Sequence, residues 1–169
     1  AYGGAIFSES NTANITEIIG NYIGNYIISN TDDAYGGAIF NVNGSEIGKI
    51  EGKFINNYTV GNLNDATKIG SSGGAIYNET SKIGSVFAEF INNHIQADGS
   101  SAHGGAIYNY DGTLVDITGN FTGNYASSTT RSFGGTIYNS SGTIGNITGN
   151  FVGNYASSPK GAFGGAIYN

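Results

Sequence analysis

The hexapeptide GGAIYN stands at residues 73–78, 104–109 and 164–169, with GGTIYN at 134–139 and GGAIFN at 36–41. A catalytic site needs its residues once, so a hexapeptide spelled again and again marks a structural unit stacked on copies of itself. The double glycines begin at Gly3, Gly36, Gly73, Gly104, Gly134 and Gly164, at intervals of 33, 37, 31, 30 and 30 residues. A second motif, aromatic-x-x-Asn, follows the first five: Tyr22 with Asn25, Phe54 with Asn57, Phe90 with Asn93, Phe121 with Asn124 and Phe151 with Asn154. From double glycine to this aromatic is 19, 18 and then three times 17 residues, so the front of the unit is nearly fixed and length varies behind it.

Between the two motifs runs an apolar frame, reading Ile144, Ile147, Gly149, Phe151 in the last copy. The steps Ile147, Gly149, Phe151 have period two, the spacing of a strand with one buried face. Gly, Asn, Ser and Thr fill the gaps, and helical periodicity is missing. The sequence therefore predicts an all-β parallel β-helix (β-solenoid) of about five turns, each of roughly 30 residues with three short strands, as one solenoid segment over 1–169. Parity within GGAIYN puts Ile6, Ile39, Ile76, Ile107, Ile137 and Ile167 inward, with Phe54, Phe90, Phe121 and Phe151 as further core. The aromatic of the hexapeptide (Phe7, Phe40, Tyr77, Tyr108, Tyr138, Tyr168) is then an outward or grazing column. Asn41, Asn78, Asn109 and Asn139, and separately Asn25, Asn57, Asn93, Asn124 and Asn154, sit where strands meet corners and are expected to form amide ladders along the axis. The paired glycines most simply supply positive φ at a corner.

Composition narrows the functional classes. The chain has 169 residues, 29 of them Gly and only one Pro, which excludes collagen and points to many tight turns. Charged residues make up 11%, against 12 Tyr and 9 Phe, a balance that favours folding over disorder. A net charge of −6 with scattered Lys and Arg offers no stripe for a phosphate backbone, so nucleic acid is not an expected partner. Cysteine is absent, which removes disulfides and thiolate metal sites, and no cofactor is expected. The lack of both Met and Cys suggests a segment of something larger, and a membrane contact is expected only through an anchor outside these residues.

The combination of GGAIYN at 73, 104 and 164 with FINN at 54 and 90, FTGN at 121 and FVGN at 151 resembles the passenger segments of chlamydial-type polymorphic outer-membrane proteins, and more broadly the β-helical passengers of autotransporters. The resemblance covers essentially the whole chain and is specific to a repeat type. It implies a right-handed, single-stranded parallel β-helix, export to the bacterial cell surface, and adhesion or display in place of catalysis. The first copy departs from the pattern with Tyr22 instead of Phe.

Candidate chemistry is sparse. His94 takes the place of Tyr26, Tyr58, Tyr125 and Tyr155, and His103 that of Tyr2, Tyr35, Phe133 and Phe163, so each histidine fills a flat-ring column. Asp32, Asp65 and Asp98 could stack as an acidic edge facing Lys68, Arg131 and Lys160, with Asp33 beside them, but the last two copies carry no acid there and a solvated corner is the favoured reading. Calcium at Asp32 and Asp33 is disfavoured because the nonapeptide calcium repeat is not matched. Specificity is expected in the variable segments that precede each double glycine, which emerge at one corner; an aromatic stripe including Tyr77, Tyr108 and Tyr138 is a second contact surface. Three functions follow: an extracellular adhesive module contacting a cell-surface ligand or itself, a fibre subunit joined end to end through open β edges, and a carbohydrate-active β-helix enzyme.

Overall fold

A computed structural model describes residues 1–30, 33–62 and 70–169. The chain is an all-β solenoid in which every strand pairs in parallel with the equivalent strand one turn away. The first face stacks Ile6–Glu9, Ile39–Val42, Ile76–Glu79, Ile107–Tyr110, Ile137–Ser140 and Ile167–Tyr168. The second, long face stacks Asn14–Ile23, Glu46–Ile55 and Lys82–Ile91, and in the last two turns is broken into Thr113–Thr118 with Phe121–Thr122 and Thr143–Thr148 with Phe151–Val152. Tyr26–Ser29, Tyr58–Asn62, His94–Asp98, Tyr125–Ser128 and Tyr155–Ser157 form the third face.

Three strands per turn were expected, and the structure has a fourth. Ala34–Tyr35, Ser71–Ser72, Ala102–His103, Ser132–Phe133 and Ala162–Phe163 make a sheet of their own. Two residues are too few to display a period, which hides this face from the sequence pattern.

Register is what makes the repeat legible. Ile39 pairs with Ile6 and Ile76, Asn109 with Asn78 and Asn139, and Phe90 with Phe54 and Phe121, so each motif residue lies over its own copy. In parallel strands this spacing is about 4.8 Å, which suits flat rings and amides. Inside the barrel Tyr22, Phe54, Phe90, Phe121 and Phe151 stack with centroids 4.5–5.1 Å apart and planes within 12°. Ile39, Ile76, Ile107 and Ile137 lie in the same core at 0–1% exposure, while Ile6 and Ile167, in the terminal turns, are more open.

Both asparagine columns are continuous ladders. Asn41, Asn78, Asn109 and Asn139 each donate Nδ2 to the Oδ1 of the next copy at 2.7–2.9 Å, ending on Asn169. In the first turn Ser8 occupies the Asn position, and the Oδ1 of Asn41 is satisfied by the Ser45 hydroxyl at 2.5 Å. In the second column the Oδ1 of Asn93 accepts from both the backbone N–H and the Nδ2 of Asn57, while its own Nδ2 donates to Asn124 and back to the Phe54 carbonyl. Asn57 and Asn124 repeat that arrangement, so a buried amide has all its polar groups engaged.

The two glycines of each pair do different work, which corrects the expectation that both serve a positive φ. The first has φ between 56° and 70° in all six copies. At the second, a Cβ would overlap the carbonyl oxygen of the next turn's second glycine: Gly37 against Gly74, Gly74 against Gly105, Gly105 against Gly135. Closeness of the backbones, not their twist, excludes a side chain there.

Two substitutions test this stacking. Gly105→Ala should cost roughly 2–3 kcal/mol by overpacking, whereas Gly165→Ala, whose Cβ would meet only Asn154 O at 4.0 Å, should shift the thermal midpoint of the 169-residue chain little. Asn93→Ala strips the Asn57 amide donors of their acceptor. At about 1–3 kcal/mol for each orphaned buried group, it should destabilise the chain far more than Asn25→Ala in the first turn. Equal denaturant midpoints for Asn93→Ala and Asn25→Ala would show that the ladder adds nothing in the interior.

Candidate functional site

The first glycine of each pair bends the chain so that the outward side chains of the short fourth face and of the first face meet. Residue i before the double glycine and residue i+5 in the following strand thereby come together: Tyr35 with Phe40 at 6.0 Å, His103 with Tyr108 at 5.5 Å, Phe133 with Tyr138 at 5.5 Å and Phe163 with Tyr168 at 6.0 Å between centroids. Stacked turn upon turn, these pairs make a double aromatic column outside the barrel. The rings do point away from the isoleucines, yet they bury one another. Tyr77 is 1% and Tyr108 4% exposed, so the stripe expected as a contact surface is largely the core of a second apolar cluster; Tyr138 is half-buried at its edge.

The third turn is irregular. Ser72 stands where the other turns carry a ring, so Tyr77 has no ring partner across its own bend; it stacks on Tyr35 of the preceding turn at 4.8 Å, a cross-turn contact also made by Phe40 with Tyr2 and Tyr138 with His103, and meets Tyr108 edge-on at 71°. Below this break the column opens into a groove of about 480 Å³, floored by Tyr35, Phe40, Val42 and Tyr77 and flanked by Tyr2, Phe7, Asn43, Glu9 and Glu79. Asp33 accepts a 2.6 Å hydrogen bond from the Tyr35 hydroxyl, and Asn43 Nδ2 donates to Glu9 at 2.8 Å. Burial first, and then the neighbouring carboxylates of Asp33 and Glu79, push the phenols of Tyr35 and Tyr77 well above the ordinary tyrosine range, so both stay protonated donors.

Four ion pairs among the described residues lie on another face. On the long face Lys49 bridges Glu17 and Glu51, Lys53 pairs with Glu89 and Lys82 with Glu46, at 2.6–2.8 Å. These residues form columns across turns, and on this exposed face each pair is worth at most about 1 kcal/mol. Arg131 and Lys160 are exposed at the variable corner, and Asp98 accepts from the Thr129 hydroxyl at 3.0 Å. Asp32, Asp65 and Lys68 lie outside the described residues. Asp33, expected at the same acidic corner, sits instead beside the aromatic groove, where it also accepts from the Gly70 N–H.

Both histidines are ring-column members. His94 is stacked between Tyr58 and Tyr125 at 5.1 and 4.7 Å, and burial lowers its pKa. His103 packs against Phe133, Tyr108 and Tyr138, with Nδ1 3.2 Å from the Ser72 hydroxyl, and burial pushes it down to about 4. Among the described residues no three His, Cys, Asp or Glu side chains converge as metal ligands. The aromatic groove was missed by the sequence reading, although the spelling YGGAIF, HGGAIY, FGGTIY and FGGAIY, with a ring on each side of the bend, carries its signal.

Compared with known proteins, the chain matches no family model, no curated protein and no solved structure.

His103 makes the fold acid-sensitive. Its folded pKa of about 4 lies below the unfolded 6.5, so the contribution is complete above pH 6.5 and is lost as pH falls towards 4. Between pH 7 and pH 5 this amounts to about 2 kcal/mol. His103→Phe, a ring already accommodated by this column at Phe133 and Phe163, should shrink the gap between urea midpoints at the two pH values by that amount. An unchanged gap would assign the acid sensitivity to other groups.

Proposed function

We propose that the chain is a non-enzymatic, extracellular structural and adhesive module of a bacterial surface protein, presenting its variable corner segments for contact. One observation carries the reading. The repeated residues are consumed in turn-to-turn bonds: Ile and Phe in the core, Asn in the ladders, and the outer rings, including both histidines, in stacks. What differs between turns is concentrated at one corner, between the third and fourth faces. There the chain runs from Ser29 to Ala34, from Asn62 to Ser71, from Asp98 to Ala102, from Ser128 to Ser132 and from Ser157 to Ala162.

A rigid scaffold with variable segments in register at one edge is the usual setting for recognition. In the later turns this edge is itself tied down: Ser128 Oγ donates to Ser100 O at 2.5 Å and Ser132 Oγ to Ser157 O at 2.7 Å. Ordered segments lose less entropy on binding. The resemblance of its repeat motifs to those of β-helical surface passengers favours the same reading and the surface location.

Beads coated with the chain should be retained on epithelial monolayers under flow. Replacing residues 129–131 and 159–161 by Gly and Ser leaves the ladders intact and should reduce retention roughly tenfold if the corner makes the contact. Retention no better than that of albumin-coated beads would remove the adhesive reading.

A further inference from the structure

On the long face the order of charge reverses between the second and third turns. Glu46, Lys49, Glu51 and Lys53 stand outward on the second; Lys82, Ser85, Phe87 and Glu89 occupy the same columns on the third. Glu46 pairs with Lys82, and Lys53 with Glu89, within the chain. Apolar side chains stand among these charges: Phe87 is 47% exposed and Val115, on the fourth turn, 40%. Ile55 and Ile91, paired in register, are half-buried at the end of the face. All of these residues have turns stacked on both sides.

We propose that the chain forms a homodimer in which two long faces pack antiparallel about a twofold axis that runs along the strands between the second and third turns. That axis sets the second turn of one copy against the third turn of the other, column on column. Glu46 then opposes Lys82 of the second copy, Lys53 opposes Glu89, Ile55 opposes Ile91, and the Phe87 ring meets Glu51, each contact occurring twice. Single ion pairs become squares of alternating charge. An axis placed on the second turn would instead set Lys53 on Lys53 and Glu46 on Glu46. A parallel pairing centred on the face would set Glu46 and Lys82 on Ile55 and Ile91. Both arrangements are selected against by charge. The antiparallel one carries a single unfavourable opposition, Glu17 to Asp116, and Glu17 is already bonded to Lys49.

A second copy fits this face because its columns share the period of about 4.8 Å and supply at each position the charge that the first copy lacks. Size is also sufficient. The longest strands have ten residues, and with the stacked turns they make a strip of roughly 33 by 24 Å, about 800 Å² for each copy, as in a standard stable interface. The variable corner, between the third and fourth faces, stays uncovered, so the inference does not depend on the adhesive reading.

Sedimentation equilibrium of the 169-residue chain should be run from micromolar to millimolar concentration at physiological salt, which screens the net charge of −6. The mass should rise to twice 17.4 kDa and stop there. The deciding variant combines Glu46→Lys, Lys82→Glu, Lys53→Glu and Glu89→Lys. It keeps both ion pairs within each chain while reversing what the chain offers to a second copy. This variant should dimerise with itself as the parent does. Mixed with isotope-labelled parent and read by native mass spectrometry, it should form the mixed dimer at least roughly tenfold below the statistical share, since every charged contact then opposes like charges. Phe87→Glu, on a side chain already outside the barrel, should leave the melting curve unchanged and raise the dimer dissociation constant at least roughly tenfold.

A mass of 17.4 kDa at every concentration would overturn the proposal. So would free mixing in statistical proportion, a folded charge-exchanged variant that stays monomeric, or a Phe87→Glu chain that dimerises like the parent. Masses growing beyond the dimer would replace the twofold pairing by open-ended assembly and overturn it equally.

Discussion

Everything in this molecule depends on parallel strands held in exact self-register, so that each residue is bonded to, and packed on, its own counterpart one turn away. At about 4.8 Å the only side chains that prosper are those that attract copies of themselves. Isoleucine does so by shape, phenylalanine and tyrosine by stacking, and asparagine by carrying donor and acceptor on one flat group. Lysine and glutamate cannot, and the long face shows the alternative: opposite charges alternate from turn to turn, as in Glu46 with Lys82. The composition, rich in Asn, Gly and aromatics and poor in charge, follows from that single constraint.

The same constraint explains what could be read from the sequence. Columns with a strict residue identity were legible because stacking demands identity: the inward isoleucines, the Phe column and both amide ladders are found at the residues the repeat marks. The histidines were legible as ring substitutes for the same reason. Features that depend on how the chain bends were not. Two residues of strand have no period, so the fourth face was invisible, and parity gave the direction of Tyr77 but not its burial, which comes from a ring five residues away in other turns and from Tyr35 of the turn before.

The third turn illustrates how a repeat can vary its surface. A perfect stack exposes only its sides, all alike. One substitution, Ser72 in a column of rings, removes the ring that would flank Tyr77 across its own bend, and the stack changes its packing there, with Tyr77 on Tyr35 of the turn before and edge-on to Tyr108. The packing of the stack changes here at an interruption of the pattern, not at an addition to it. The repeat is therefore informative twice, where it holds and where it lapses.

The asparagine ladders have one more property. Backbone hydrogen bonds in parallel strands run both ways, as when Gly36 N–H donates forward to Ser72 and Tyr58 N–H donates back to Asn25. The side-chain amides do not alternate: from Asn41 to Asn169 and from Asn25 to Asn154 every amide-to-amide bond is donated towards the later turn. Two rows of aligned dipoles thus give the rod an electrical sense, positive towards its later turns and negative towards its earlier ones. Any further turn, whether of the same chain or another, can join the rows only if it arrives with the same sense, for a reversed one would set donor against donor or acceptor against acceptor.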